Sequence, residues 1–175
     1  MKLLLVDDEE YVIESIKRNL DLTETGVSEV YTAFSVQQAK NIMGMVDIDI
    51  VISDIVMPGG TGFDFVEWVR KEELKVQVIF LTSYAEFDYA RRAIQLNSVD
   101  YLLKPIDPEE LSNTLGKLKQ LYANTVKEQQ QHFFHQFAVG RTPSMPQMSL
   151  PQIKKMAVII LSSGCYPAYP FLFPL

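Results

Sequence analysis

The stretch Ile48-Asp-Ile-Val-Ile-Ser-Asp-Ile-Val-Met-Pro58 decides the fold. Ile50, Val51 and Ile52 form a short, β-branched apolar run, the composition of a strand buried on both faces in a parallel sheet. Asp54 therefore stands at the strand's carboxyl end. In an open α/β sheet, ligands bind in the crevice beyond the carboxyl ends of the strands, so a carboxylate delivered there is a candidate for chemistry. Taken alone, an Asp ahead of Met57-Pro58-Gly59-Gly60 is also ordinary turn composition. Three further apolar runs break the tie, because each ends in a reactive side chain. Leu3 to Val6 runs into Asp7-Asp8, Val78 to Leu81 into Thr82-Ser83, and Val99 to Leu103 into Lys104-Pro105.

Helical patterns fill the intervals. Val12, Ile13, Ile16 and Leu20 recur at helical spacing behind the acidic residues Glu9 and Glu10, which suit a helix amino terminus. Val30 and Tyr31 supply a short second strand, and Ser35 reads as the N-cap of a helix carrying Val36, Ala39, Ile42 and Met43. Gly59 to Gly62 form a loop before Phe63, Val66 and Val69. A fourth helix carries Tyr89, Ala90, Ala93, Ile94 and Leu96, with Asn97 at its carboxyl-terminal cap. Asp107 and Pro108 open a fifth, whose stripe runs through Leu111, Leu115, Leu118 and Tyr122. This βα alternation predicts right-handed crossovers and a doubly wound, five-stranded parallel α/β sheet.

The chain resembles the receiver domain of bacterial two-component response regulators over roughly residues 1–122. The resemblance rests on the acidic pair after strand one, Asp54-Ile-Val-Met-Pro58 with Gly62, Thr82-Ser83, and Lys104-Pro105, in that order. It implies a flavodoxin-like fold and a phosphoryl group accepted on Asp54 from a sensor histidine kinase. Asp8 and Asp54 would ligate Mg²⁺ directly and Asp7 through water, with the Val56 backbone carbonyl completing the protein's share. Carboxylates converging in one crevice repel unless a cation sits among them, and oxygen-only ligation suits Mg²⁺. By the same resemblance, Asp54 is the nucleophile and Lys104 a clamp for phosphoryl oxygens. Thr82 and Tyr101 would form the switch pair. The domain is then a stoichiometric phosphoacceptor with slow self-dephosphorylation, not an enzyme. The fourth helix, fifth strand and fifth helix would form a homodimer face, with Arg91, Arg92, Asp100 and Glu109 on or near it.

Two other readings compete. An aspartate-nucleophile phosphatase using Asp7 prefers two aspartates separated by one residue after the first strand, whereas Asp7 and Asp8 are adjacent. A flavodoxin-like nucleotide binder needs a hydroxyl- and glycine-rich phosphate loop there, and Asp7 to Glu10 would repel phosphate.

Composition narrows the function classes. The 175 residues are 47% hydrophobic and 22% charged, as in a soluble globular protein. A net charge of −6 offers no basic footprint for nucleic acid, so direct DNA binding by this chain is not expected. The single cysteine, Cys165, permits no internal disulfide, and no signal-peptide pattern opens the chain; both suggest the cytoplasm. The longest late apolar run, Met156 to Leu161, is far below the ~18 residues of a membrane span. Thr82 to Leu96, followed by Asp100-Tyr-Leu-Leu-Lys-Pro105, most resembles receivers of AraC-type transcriptional regulators, whose DNA-binding output domain is not visible in this sequence. Residues 123–140 read as a polar linker helix, in which His132 and His135 lack the further ligands a zinc site needs. Residues 141–175 read as a truncated or irregular tail, since the apolar run Met156 to Leu161 has no partner strand and Pro167, Pro170 and Pro174 crowd the residues after it.

Overall fold

The computed structural model describes the backbone of residues 1–138 and the side chains of residues 1–123. Five strands, β1 (Lys2–Val6), β2 (Glu29–Ala33), β3 (Ile50–Asp54), β4 (Gln77–Thr82) and β5 (Asp100–Leu103), form one sheet in the order β2-β1-β3-β4-β5. Every neighbouring pair is parallel. The connecting helices are α1 (Glu10–Asn19), α2 (Val36–Met43), α3 (Gly62–Lys71) and α4 (Phe87–Gln95), and α5 (Pro108–Ala138) follows β5. A single helical turn, Leu22–Thr25, is capped by the Asp21 carboxylate ahead of β2.

Successive side chains of a strand point to opposite faces, and here both faces are covered. Leu4, Val6, Val51, Val78 and Phe80 pack with Ala39, Phe63, Val66, Val69 and Ala93 of α2, α3 and α4. Leu3, Leu5, Ile50, Ile52, Ile79 and Leu81 pack with Val12, Ile13 and Ile16 of α1 and Leu111, Leu115 and Leu118 of α5. That is why the strands read as continuous apolar runs instead of alternating ones. Each such side chain contributes about 1.5–3 kcal/mol of burial, so the sheet is the rigid frame on which the strand-end groups stand.

Local sequence sets the helix ends. The Ser35 hydroxyl accepts from the Gln38 amide at 3.3 Å, as expected of an N-cap. Asp107 accepts from the Glu109 amide at 2.9 Å in front of Pro108, and Asn97 takes a left-handed φ of 52° just past α4. The segment before α3 departs from the expected open loop. Val56–Met57 and Gly60–Thr61 pair antiparallel, and Gly59 at φ 80° supplies the left-handed corner. Thr61 and Asp64 then close a reciprocal capping box on α3. Ile94 also departs from expectation: it is 75% exposed, because the buried seam of α4 is narrower than the helical spacing suggests and Ile94 falls on its outer side with Phe87.

Residues Met1–Leu121 make one compact unit, and α5 continues beyond it. The side chains of His132 and His135, the last two residues of the expected linker at 123–140, the run Met156 to Leu161 and the prolines after it lie outside the described residues. Among those described, no helix is long and apolar enough to cross a membrane.

Candidate functional site

Strand register assembles the site. Val6 of β1 pairs with Ser53 of β3, so Asp7 emerges beside Asp54. Asp54 pairs with Leu81, and Thr82 with Leu103, which sets Thr82 and Lys104 at the same carboxyl edge. The chain leaves β1 for β2 on one side and returns to β3 on the other. Asp7 and Asp54 thus flank the point where the winding reverses, the position at which open α/β sheets bind ligands.

Carboxylate oxygens of Asp7, Asp8 and Asp54 all lie within 4.8 Å of one another, with Asp7 and Asp54 buried and Asp8 exposed. The Lys104 ammonium reaches between the two buried groups, 2.7 Å from Asp7 Oδ2 and 2.9 Å from Asp54 Oδ2. Backbone amides hold the other oxygens. Glu9 N–H donates to Asp7 Oδ1 at 3.0 Å and Ile55 N–H to Asp54 Oδ1 at 2.7 Å. Burial raises the Asp7 pKa against the opposing pull of Lys104 and the Glu9 amide, with Asp54 adding repulsion. Burial also disfavours the Lys104 ammonium, but Asp7 and Asp54 together outweigh it and hold that pKa above its ordinary value. Negative charge is therefore in excess. Asp7 Oδ2, though close to the ammonium, is buried without a well-directed hydrogen bond. An all-oxygen donor set carrying more negative charge than one ammonium offsets fits a hard divalent cation.

Thr82 is fully buried at the end of β4, and its hydroxyl accepts from the Tyr84 amide at 3.1 Å. The Tyr101 hydroxyl of β5 donates to the Tyr84 carbonyl at 2.7 Å, so the half-buried ring lies against the loop that follows Thr82. Burial raises the Tyr101 pKa, opposed by hydrogen bonding that involves Thr82 and the Glu86 backbone.

The model of the response regulator receiver domain matches residues 3–116. The chain belongs to the response regulator receiver family. Its receiver is 31% identical to that of AraT, a response regulator from Geobacillus stearothermophilus, with a TM-score of 0.66 over 71% of this chain and 96% of that one. A two-component transcriptional regulator AraC from Clostridium phytofermentans is 26% identical, with a TM-score of 0.64 over 69% of this chain and 93% of that one. Among curated relatives, the transcriptional regulatory protein HptR of Staphylococcus aureus is 33% identical over 74% of this chain and 49% of its own length. The chain thus spans about half the length of the curated relatives it matches.

Asp7, Asp8, Asp54, Thr82 and Lys104 of the receiver meet at one sheet edge, and Tyr101, within β5, reaches the loop after Thr82 through its hydroxyl. Val56, expected to offer its carbonyl, follows Asp54 by two residues and sits in the small antiparallel ladder. Two of the charged residues expected on or near the face of α4, β5 and α5 are engaged within the chain. Arg92 pairs with Glu67 at 2.8 Å and with Asp64 at 3.9 Å, and Asp100 accepts from the Thr114 hydroxyl at 2.8 Å. Arg91 and Glu109 are exposed. A 310 Å³ cavity lined by Asp100, Asp107, Glu109, Glu110 and Thr114, among others, contains none of the strand-end site residues.

One positioning residue carries more than its place in a turn suggests. A Cβ on Gly62 would stand 2.1 Å from the Asp54 carbonyl oxygen and 2.9 Å from Ser53 Oγ. Only glycine permits that approach. The sequence signal is a glycine at the first position of a helix, where a good helix former would otherwise be favoured.

Proposed function

We propose that this receiver accepts a phosphoryl group on Asp54 from the phosphohistidine of a sensor kinase. The observation that supports the reading best is the convergence of three carboxylates at the sheet's winding reversal, two of them paired with one nearly buried ammonium. An Asp54 oxygen attacks phosphorus, the phosphorus–nitrogen bond to the kinase histidine breaks, and the electron pair stays on the imidazole, leaving aspartyl phosphate. Asp7, Asp8, Asp54 and the Val56 carbonyl would hold Mg²⁺, which when bound neutralises charge on the phosphoryl oxygens. Lys104 supplies the protein's own positive charge to the same oxygens. Asp7 and Asp54 hold it as an ammonium, which suits a clamp and not a base.

Transfer replaces the charged Asp54 oxygen near Lys104 with a bulkier, more highly charged group. The Thr82 hydroxyl then follows a phosphoryl oxygen, and Tyr101 stabilises the loop in its new position through Tyr84, a local charge change biasing a two-state element. The acceptor is stoichiometric, with slow self-dephosphorylation. Residues 1–122 form the receiver and 123–140 a linker helix leading toward residues 141–175. In a full-length regulator the output is transcription, as the names of the AraC-type neighbours suggest, with the site in the cytoplasm and DNA contacts made outside this acidic chain. Phosphorylation favours a homodimer through α4, β5 and α5, for which Arg91 and Glu109 remain available.

Treatment with acetyl phosphate and Mg²⁺, followed by phosphopeptide mapping, tests the assignment. One phosphoryl group per chain on Asp54, absent from Asp54→Asn, is expected. Labelling of Asp7, or multiple turnover of a phosphate ester, would replace this reading with the phosphatase.

A further inference from the structure

We propose that α3 carries a second line of coupling from Asp54 to the exposed face of α4, through Gly62, Phe63 and Arg92, alongside Thr82 and Tyr101. The inference rests on Asp54 as phosphoacceptor and concerns how its state is transmitted.

The line begins in the backbone. The Ile55 amide is shared between Asp54 Oδ1 at 2.7 Å and the Leu81 carbonyl at 3.0 Å, so weakening the first bond turns it toward Leu81, and the Ile55 carbonyl accepts from the Gly62 amide at 2.9 Å. Modifying the carboxylate removes charge from Oδ1 and weakens the first bond, since hydrogen bonds to an ionised acceptor are the stronger kind. A shift of the Asp54–Ile55 peptide cannot be absorbed at Gly62, which approaches the Asp54 carbonyl too closely to admit even a Cβ. The first turn of α3 has to move with it.

That turn touches α4 directly. Phe63 is 2% exposed, with its ring 4.9 Å from Phe80 of β4 and 5.8 Å from Tyr89 of α4. The Arg92 guanidinium lies 4.7 Å from the Phe63 ring centroid and pairs with Asp64 and Glu67 on the same helix. At the other end of α3, Arg70 donates to the carbonyls of Leu96 and Asn97 at 3.0 and 3.2 Å, and to Val76 at 3.0 Å. The carboxyl end of α4 is thus fastened. Its amino end starts at Glu86 with no side-chain cap, and Phe87 beside it is 80% exposed. A helix held at one end and pushed near its middle turns about the held end. The motion is largest at Tyr84 to Phe87, where the Tyr101 hydroxyl also bonds, so the two lines converge on one segment.

The test is amide hydrogen exchange across residues 87–95 of the full chain, with and without beryllofluoride and Mg²⁺. The variants are Arg92→Met, Tyr101→Phe and the pair. Acetyl-phosphate labelling of Asp54, mapped by mass in the unsubstituted protein, comes first; its failure would remove the phosphoacceptor reading itself, not this one. With Asp54 labelled normally in Arg92→Met and exchange of β3 unchanged, the α4 response should fall by about two-fold or more. Tyr101→Phe should leave a residual response that the double variant loses. A wild-type response in Arg92→Met, or complete loss in Tyr101→Phe alone, overturns the second line.

Discussion

Replacing Lys104 by methionine isolates the electrostatics of the strand-end site, because an unbranched side chain of similar length is kept while the charge disappears. Lys104 is 9% exposed and contacts Asp7 and Asp54, which are 2% and 8% exposed, at 2.7 and 2.9 Å. At an effective dielectric of about 20, each contact is worth about 6 kcal/mol of gross attraction, most of it offset by desolvation. Breaking a buried pair by removing one partner costs about 3–5 kcal/mol, since the other charge is left stranded. Protonation sets a ceiling on that loss. Adding a proton to one carboxyl of ordinary pKa about 4 costs about 4 kcal/mol near pH 7 but only about 1.4 near pH 5. In chelator, Lys104→Met should therefore lose about 3–4 kcal/mol near pH 7, a urea midpoint drop of roughly 1.5–2 M at a slope of about 2 kcal/mol/M. Near pH 5 the loss should fall below about half of that, and millimolar Mg²⁺ at neutral pH should also recover much of it. A drop smaller than roughly 0.5 M, or one equal at both pH values, would refute the view that the ammonium holds two repelling carboxylates together.

The other expectations concern single groups. Mg²⁺ at a hundred-fold excess over its dissociation constant should stabilise the wild type by about 2.7 kcal/mol by mass action, and Asp8→Ala much less; equal midpoint shifts would remove Asp8 from the metal site. Asp7 binds its proton more tightly folded than unfolded, so it favours folding below its ordinary value of 3.8 and loses that contribution as pH rises through the elevated folded value. Asp7→Asn should accordingly raise the chelator midpoint at neutral pH, with the gap closing toward about pH 4; a lower midpoint at neutral pH would contradict the sign. Gly62→Ala should cost about 1–3 kcal/mol and slow acetyl-phosphate labelling of Asp54, since the added carbon must displace the Asp54 carbonyl. Denaturation and labelling rate measured on one preparation would separate the two effects.

The sheet and its chemistry are legible in the sequence because parallel strands covered on both faces must be apolar throughout. A polar residue that ends such a run therefore marks the sheet edge. Asp7, Asp54, Thr82 and Lys104 each announce the end of a strand, and right-handed crossovers bring those ends to one side. The hidden features depend on distances between elements that no local pattern encodes. Arg92 reads as free surface charge until α3 brings Asp64 and Glu67 beside it, and Asp100 does so until Thr114 of α5 reaches it. Ile94 departs from its expected burial for a related reason: helical spacing fixes which residues share a stripe, but the width of the covered stripe depends on how α4 seats against α3 and β5.

The same distinction explains why the site's energetics, unlike its membership, need the fold. Sequence places three carboxylates and one lysine at strand ends, which could equally describe four solvated side chains. Register and burial turn them into a coupled set: two carboxylates buried beside one ammonium, a third at the mouth, and an Asp7 oxygen without a directed donor. Such a set is stable enough to fold yet carries an excess of negative charge that Lys104 cannot neutralise alone. Anything that alters the charge on Asp54 must therefore redistribute the hydrogen bonds around it. The Ile55 amide is the first affected, and through Gly62 it is tied to the tightest glycine contact among the described residues. A site balanced in this way would convert the chemical state of one oxygen into backbone displacement with little slack, which is what the proposed switch on a rigid sheet requires.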